Sequence, residues 1–205
     1  YIERDYVQLN EGWNGLLVKV DQGFGGWGFF LRFVNLNETP ITDFGIGFTN
    51  SSVIASPDSS GFIRNYLIIG SFDNSGDAKF NVDYLAGESN ASPIAGDVAS
   101  GLIWFQRNDP DTFIDFASIL SPNNNNVIAY AFAYVYSNTT RDVRLKVGSD
   151  DGVKAFLNGV NVINNHVHRG ASPDQDTATS LVLLTKTNGT SFLFNTTEIT
   201  DDRYR

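Results

Sequence analysis

Apolar residues recur along this chain with period two, in short runs bounded by Gly, Asn, Asp and Pro. That is the signature of β-strands separated by turns. Leu16-Leu-Val-Lys-Val20 follows the turn Asn10-Glu-Gly12, and Trp27-Gly-Phe-Phe-Leu-Arg-Phe-Val34 follows the glycine-rich turn Gln22-Gly-Phe-Gly-Gly26. Tyr66-Leu-Ile-Ile69 opens a second run of strands after the polar stretch 50–61. In the next long run Ile128, Tyr130, Phe132, Tyr134 and Tyr136 share one face, with Ala129, Ala131, Ala133 and Val135 on the other. A strand with apolar residues on both faces suits the centre of a sandwich. Val153 to Leu157 and Val160 to Ile163 flank Asn158-Gly159, which supplies the positive φ values of a type I′ hairpin. A second hairpin-like segment over 180–205 turns at Thr187-Asn-Gly189, and a single helical turn is expected near 115–120. The fold class predicted is all-β, an antiparallel jelly-roll sandwich; a parallel α/β fold would need helical crossovers that the pattern lacks.

Composition adds limits. The 205 residues suffice for one sandwich, and 41% apolar with 13% aromatic content supplies its core. Charged residues reach only 18%, against about 25% in most soluble domains. The polar surface therefore comes from Asn, Ser, Thr and Gly, which suits an extracellular location. A net charge of −9 without any Lys/Arg cluster excludes nucleic acid and disfavours anionic lipid. The longest apolar run, Val127 to Tyr136, is too short to span a bilayer, so no membrane insertion is expected. The lack of Cys removes disulfides, thiolate metal sites and Cys nucleophiles. The lack of Met is expected of a chain that follows a cleavage such as signal removal. Sequons at Asn37, Asn50, Asn90, Asn138, Asn188 and Asn195 number six, about twice the chance frequency, and predict a glycosylated exterior. Pro follows the triplets of Asn37 and Asn90, which weakens those two as acceptors.

Candidate chemistry is sparse. Asp150-Asp151, between Ser149 and Gly152, offers oxygens to Ca²⁺, or else forms an Asx turn that satisfies its own backbone. Asp174 and Asp176 are further oxygen donors if their loop folds nearby. His166-Val-His168 sets two imidazoles on one strand face, but with no evident acidic partner they read as edge-strand surface. There is no G-x-S-x-G elbow, and Gly23 to Gly28 joins two strands instead of opening a helix. Catalysis is not expected. Trp13, Trp27 and Trp104 are the candidates for stacking on sugar rings.

The phrase Val147-Gly-Ser-Asp-Asp-Gly-Val-Lys-Ala-Phe-Leu-Asn-Gly159 resembles galactose-binding-like jelly-roll modules, often attached to secreted glycan-degrading enzymes. Its SDDG…NG part is also similar to PA14-type adhesin domains, and that likeness implies Ca²⁺ at Asp150 and Asp151. Tyr66 to Phe72, Asp83-Tyr84-Leu85, Trp104, Ala129-Tyr-Ala131, Arg141-Asp-Val143 and Arg169 to Asp176 continue the resemblance to the first class in order. The closing strands of such modules stand here at the wrong end, as Leu9-Asn-Glu-Gly-Trp-Asn-Gly-Leu-Leu-Val-Lys-Val20 and Gly25-Gly-Trp-Gly-Phe29. The division implied is a strand pair over 1–35, a connection over 36–65 and the sandwich over 66–205. Residues 1–35 then fold back as a permuted hairpin, finish a preceding repeat, or are donated to a neighbour. In donation Leu16, Leu17, Val18, Val20, Trp27, Phe29, Leu31 and Phe33 would seal a neighbour's open edge. The function expected is a non-catalytic structural or adhesive subunit at the cell surface, assembled head-to-tail with copies of itself. The alternative is a carbohydrate-binding module that recognises extracellular glycans.

Overall fold

The computed structural model describes residues 2–122, 125–187 and 190–195. Its ordered segments are overwhelmingly antiparallel β, and two large sheets face each other across one core. The first sheet has seven strands, with Val160–Asn165, Val153–Leu157, Gly12–Gln22, Val127–Ser137, Asn65–Asp73 and Phe105–Asn108 as neighbours in that order. Gly45–Gly47 also pairs with Val127–Ser137. The second sheet runs Ile114–Asp115, Gly28–Val34, Arg141–Asp150, Asp176–Thr177, with Val7–Leu9 added along the start of Arg141–Asp150. Ile2–Arg4, Ser180–Thr187 and Thr190–Asn195 make a separate three-stranded sheet; the turn expected at Asn188-Gly189 lies outside the described residues. Among the described residues no helix is long and apolar enough to cross a membrane.

The N-terminal strands occupy interior positions in their own chain. Gly12–Gln22 pairs along its full 11 residues with Val127–Ser137, from Gly12 opposite Ser137 to Gln22 opposite Val127. Its other edge takes Val153–Leu157. Gly28–Val34 pairs instead with Arg141–Asp150, in the opposite sheet. The expected hairpin is therefore an arch: the two strands are not partners, and the turn between them crosses from sheet to sheet. The reason is apolar burial. Leu16, Val18 and Val20 share one core with Phe29, Leu31 and Phe33, and an arch turns these faces toward each other where a hairpin would set them side by side. Leu17 and Trp27 are buried as well. Residues 36–65, expected as a connection, also feed the interior through Ile41, Phe44, Ile46, Phe48, Phe62 and Ile63.

The strand Val127–Ser137 is covered on both faces. Ala129, Ala131, Ala133 and Val135 turn into the space between the sheets, where small side chains leave room for the bulky ones opposite. Tyr130, Phe132 and Tyr134 join Leu17, Leu67, Ile69, Phe72 and Phe156 in a second cluster on the outer face. The segment 74–104 roofs that cluster with Tyr84, Leu85, Ala91 and Trp104. The predicted type I′ turn is present, with φ of 50° at Asn158 and 81° at Gly159. The helical turn is Phe116–Ile119, capped by Asp115, whose carboxylate accepts from the Ala117 and Ser118 amides.

Candidate functional site

Two places on the seven-stranded sheet gather polar chemistry against a fixed frame, and both involve the strand Gly12–Gln22. The first is a pocket of about 220 Å³ on its outer face. Phe132, Tyr134 and Phe156 line its sheet side, and Glu88, Asn90 and Ser92 line its roof side. Local sequence explains the shape. Gly15 carries no Cβ, which would stand 3.1 Å from the Phe132 ring, so that ring lies close against the neighbouring strand. The hairpin tip touches the roof, because a Cβ on Gly159 would fall 2.1 Å from the Ser89 carbonyl oxygen. Asn158 pins the tip to the sheet, accepting from the Gly15 amide at 2.9 Å and donating to Asn14 at 2.8 Å.

A buried ion pair seats the roof. Lys19 Nζ donates to the Val82 carbonyl at 2.6 Å and to Glu88 Oε1 at 2.8 Å, with its side chain wholly buried. Tyr130 Oη donates to the same Glu88 oxygen at 2.7 Å. Burial lowers the Lys19 pKa and the Glu88 carboxylate works against that shift. The neighbouring Lys154 donates to Asn81 at 2.8 Å and lies over the Phe80 ring. Period-two reading marks Lys19 and Lys154 as solvent-facing; the roof buries them.

The second place lies where the strands end. The two crossovers between the sheets bond to each other: the Asp21 amide donates to the Gly152 carbonyl at 3.1 Å, and the Asp151 amide to the Asp21 carbonyl at 3.0 Å. Around them His166 Nε2 stands 3.1 Å from Asp21 Oδ2 and 3.2 Å from Asp77 Oδ1. His168 Nε2 lies 3.0 Å from the other Asp77 oxygen. Asn74 Nδ2 donates toward Asp21 at 3.4 Å and Asp77 at 3.2 Å. Asp21 is completely buried, and burial pushes its carboxyl up to about 6, opposed by His166 and helped by the nearby Asp77. The acidic partners missing from the sequence around the two histidines are thus supplied from 145 and 89 residues away.

The expected site residues fall out as follows. Asp151 accepts the Gly23 and Arg169 amides at 3.0 Å each, so its carboxylate ties loops together. The peptide joining it to Asp150 is cis. Burial raises the Asp150 carboxyl to about 6, with the Asp151 charge adding. Asp174 and Asp176 pair with Arg32 and Arg169. Trp27 and Trp104 are core residues that do not line this pocket, whereas Trp13 is partly exposed and meets Tyr136 edge-on at 5.1 Å. Asn37, Asn50, Asn90 and Asn138 are exposed, as acceptors must be. Asn188 and the side chain of Asn195 lie outside the described residues. Searches of family models, curated proteins and solved structures found nothing that matches this chain.

Proposed function

We propose that this chain is a non-catalytic recognition module of an extracellular protein, and that it holds one sugar residue of a glycan in the pocket beside Gly15. The observation that carries this is the lining itself, aromatic rings on the sheet side facing a roof of amide, hydroxyl and carboxylate groups. Sugar rings offer C–H faces to aromatic side chains and hydroxyls to amides and carboxylates. At about 220 Å³ the cavity is below the roughly 300–1,000 Å³ usual for drug-sized ligands, which fits a single ring and not a long chain. The resemblance to glycan-binding modules points the same way. Assembly by strand donation needs residues 12–34 seated in a neighbour, and here they are interior strands of their own sheets.

A glycan array followed by calorimetric titration tests the proposal. Ser92 is exposed and lines the pocket, so Ser92→Trp fills the cavity while leaving the core untouched. Glycan binding by the native chain, abolished in Ser92→Trp at unchanged Tm, is the expected result. Binding that survives the Trp substitution places the ligand elsewhere, and an array without hits refutes the function.

A further inference from the structure

The carboxylate–imidazole cluster lies outside the lining of the pocket. Three ligand atoms, one each from Asp21, Asp77 and His166, lie within 4.8 Å of one another. The two distances from His166 Nε2, 3.1 and 3.2 Å, approach the edge of a tetrahedron about a Zn²⁺ ion, about 3.4 Å for bonds near 2.05 Å. A second observation is electrostatic. Asp21 is completely buried, and while its Oδ2 faces His166, its Oδ1 lies against Gly152 without a hydrogen-bond partner. An ionised carboxylate in that position is costly unless a cation or a proton compensates it.

The surroundings hold the three side chains in place. His166 stacks on Phe80 with ring centroids 4.4 Å apart and planes 8° from parallel, which fixes where Nε2 aims. Asn74 Nδ2 reaches both carboxylates, and His168 takes the outer oxygen of Asp77. Such outer contacts orient metal ligands. We propose that Asp21, Asp77 and His166 bind one zinc-type divalent cation, with His168 a positioning residue that orients Asp77. An imidazole nitrogen among the ligands, and so few oxygens, favour Zn²⁺ over Ca²⁺, which takes six to eight oxygens. Without the ion, direct hydrogen bonds between His166 Nε2 and the two carboxylates are the competing account of the same distances.

The full chain, stripped with chelator and titrated with Zn²⁺ alone, Ca²⁺ alone and Mg²⁺ alone, decides between them. The expected result is one Zn²⁺ per chain, a Tm several degrees higher with Zn²⁺, and no comparable effect of Ca²⁺ or Mg²⁺. Asp77→Asn and His166→Gln remove ligands at exposed or half-exposed positions, so the core stays filled; each should weaken Zn²⁺ by well over about tenfold, and His168→Gln by about tenfold. Should His166→Gln fail to fold, the other two variants carry the test. Absence of stoichiometric Zn²⁺ binding, Zn²⁺ affinity indifferent to Asp77→Asn, or preference for Ca²⁺ each overturns the assignment. Glycan binding at the pocket beside Gly15 is independent of these outcomes, because none of the three cluster residues lines it, so the two sites are tested separately.

Discussion

Removing Glu88 should destabilise the fold far more than its position on a loop suggests. Its carboxylate is the counter-charge of Lys19, whose side chain is fully buried while that of Glu88 is only 10% exposed. In Glu88→Ala the ammonium keeps the Val82 carbonyl, the Tyr130 ring 5.3 Å away and the weaker influence of Asp83, but loses its paired carboxylate. Lys154, opposite Lys19 in the sheet register, loses the same counter-charge and stands beside it as a like charge. Breaking a buried pair from one side costs about 3–5 kcal/mol. For a chain of this size each kcal/mol lowers Tm by about 2–4 °C, so a fall on the order of 10 °C is expected in a thermal melt. The deficit also has a pH signature. A lysine whose folded pKa is depressed sheds its proton more readily when folded, so stability rises as pH climbs toward the ordinary value of 10.5. Glu88→Ala depresses it further, and the deficit should shrink in that window. Replacing both partners, as Lys19→Met with Glu88→Leu, should come within about 1 kcal/mol of the native chain. A Glu88→Ala variant losing under about 1 kcal/mol would mean the ammonium is hydrated and the 74–104 roof does not sit on the sheet.

Three further outcomes follow from the same structure. Asp150→Asn should stabilise the chain near pH 7–8 by about 1 kcal/mol or less, solvent screening limiting the gain; because burial raises the folded carboxyl to about 6, native stability improves as pH falls from about 6 toward 4, and the advantage of the variant should vanish there in pH-dependent denaturant melts. Gly159→Ala puts a Cβ against the Ser89 carbonyl at a φ of 81°, so a loss on the order of 1–3 kcal/mol is expected, together with weaker glycan binding as the pocket wall shifts. Deleting residues 1–34 removes eight fully or nearly fully buried apolar side chains between Leu16 and Phe33, about 12–24 kcal/mol of burial against a usual total of about 5–15; expression should give insoluble chain, and a soluble, folded remainder would favour strand donation.

Much of the sandwich was legible because its strands alternate cleanly. The alanine and aromatic faces of Val127–Ser137 marked a central strand, and Asn158-Gly159 marked its hairpin. What the pattern does not show is burial on the outer face. Period two assigns Lys19, Asp21 and Lys154 to solvent, since in a two-layer sandwich the face away from the core is wet. Here the segment 74–104 covers it, and among the described residues Lys19 and Asp21 become the most deeply buried charged side chains. One signal did exist: Tyr130, Phe132 and Tyr134 share that outer face, and a row of aromatics there demands a cover. The metal cluster had no such signal, because its members meet only when loops distant in sequence converge.

The strand Gly12–Gln22 also explains why these features occur together. Leu16, Val18 and Val20 face the core, so positions 13, 15, 17, 19 and 21 form one row on the outer face. Along that row stand the partly exposed Trp13, the pocket residues Gly15 and Leu17, the buried ammonium of Lys19 and the buried carboxylate of Asp21. A strand exchanged between copies would make the pocket, the ion pair and the cation cluster intersubunit sites, each formed only on assembly. Paired within its own chain, the same strand brings together the residues of all three within one chain. Zn²⁺ and glycan stoichiometry should therefore stay at one per chain on dilution to concentrations where sedimentation finds only monomer. Binding lost in step with dissociation would mean the strand is shared.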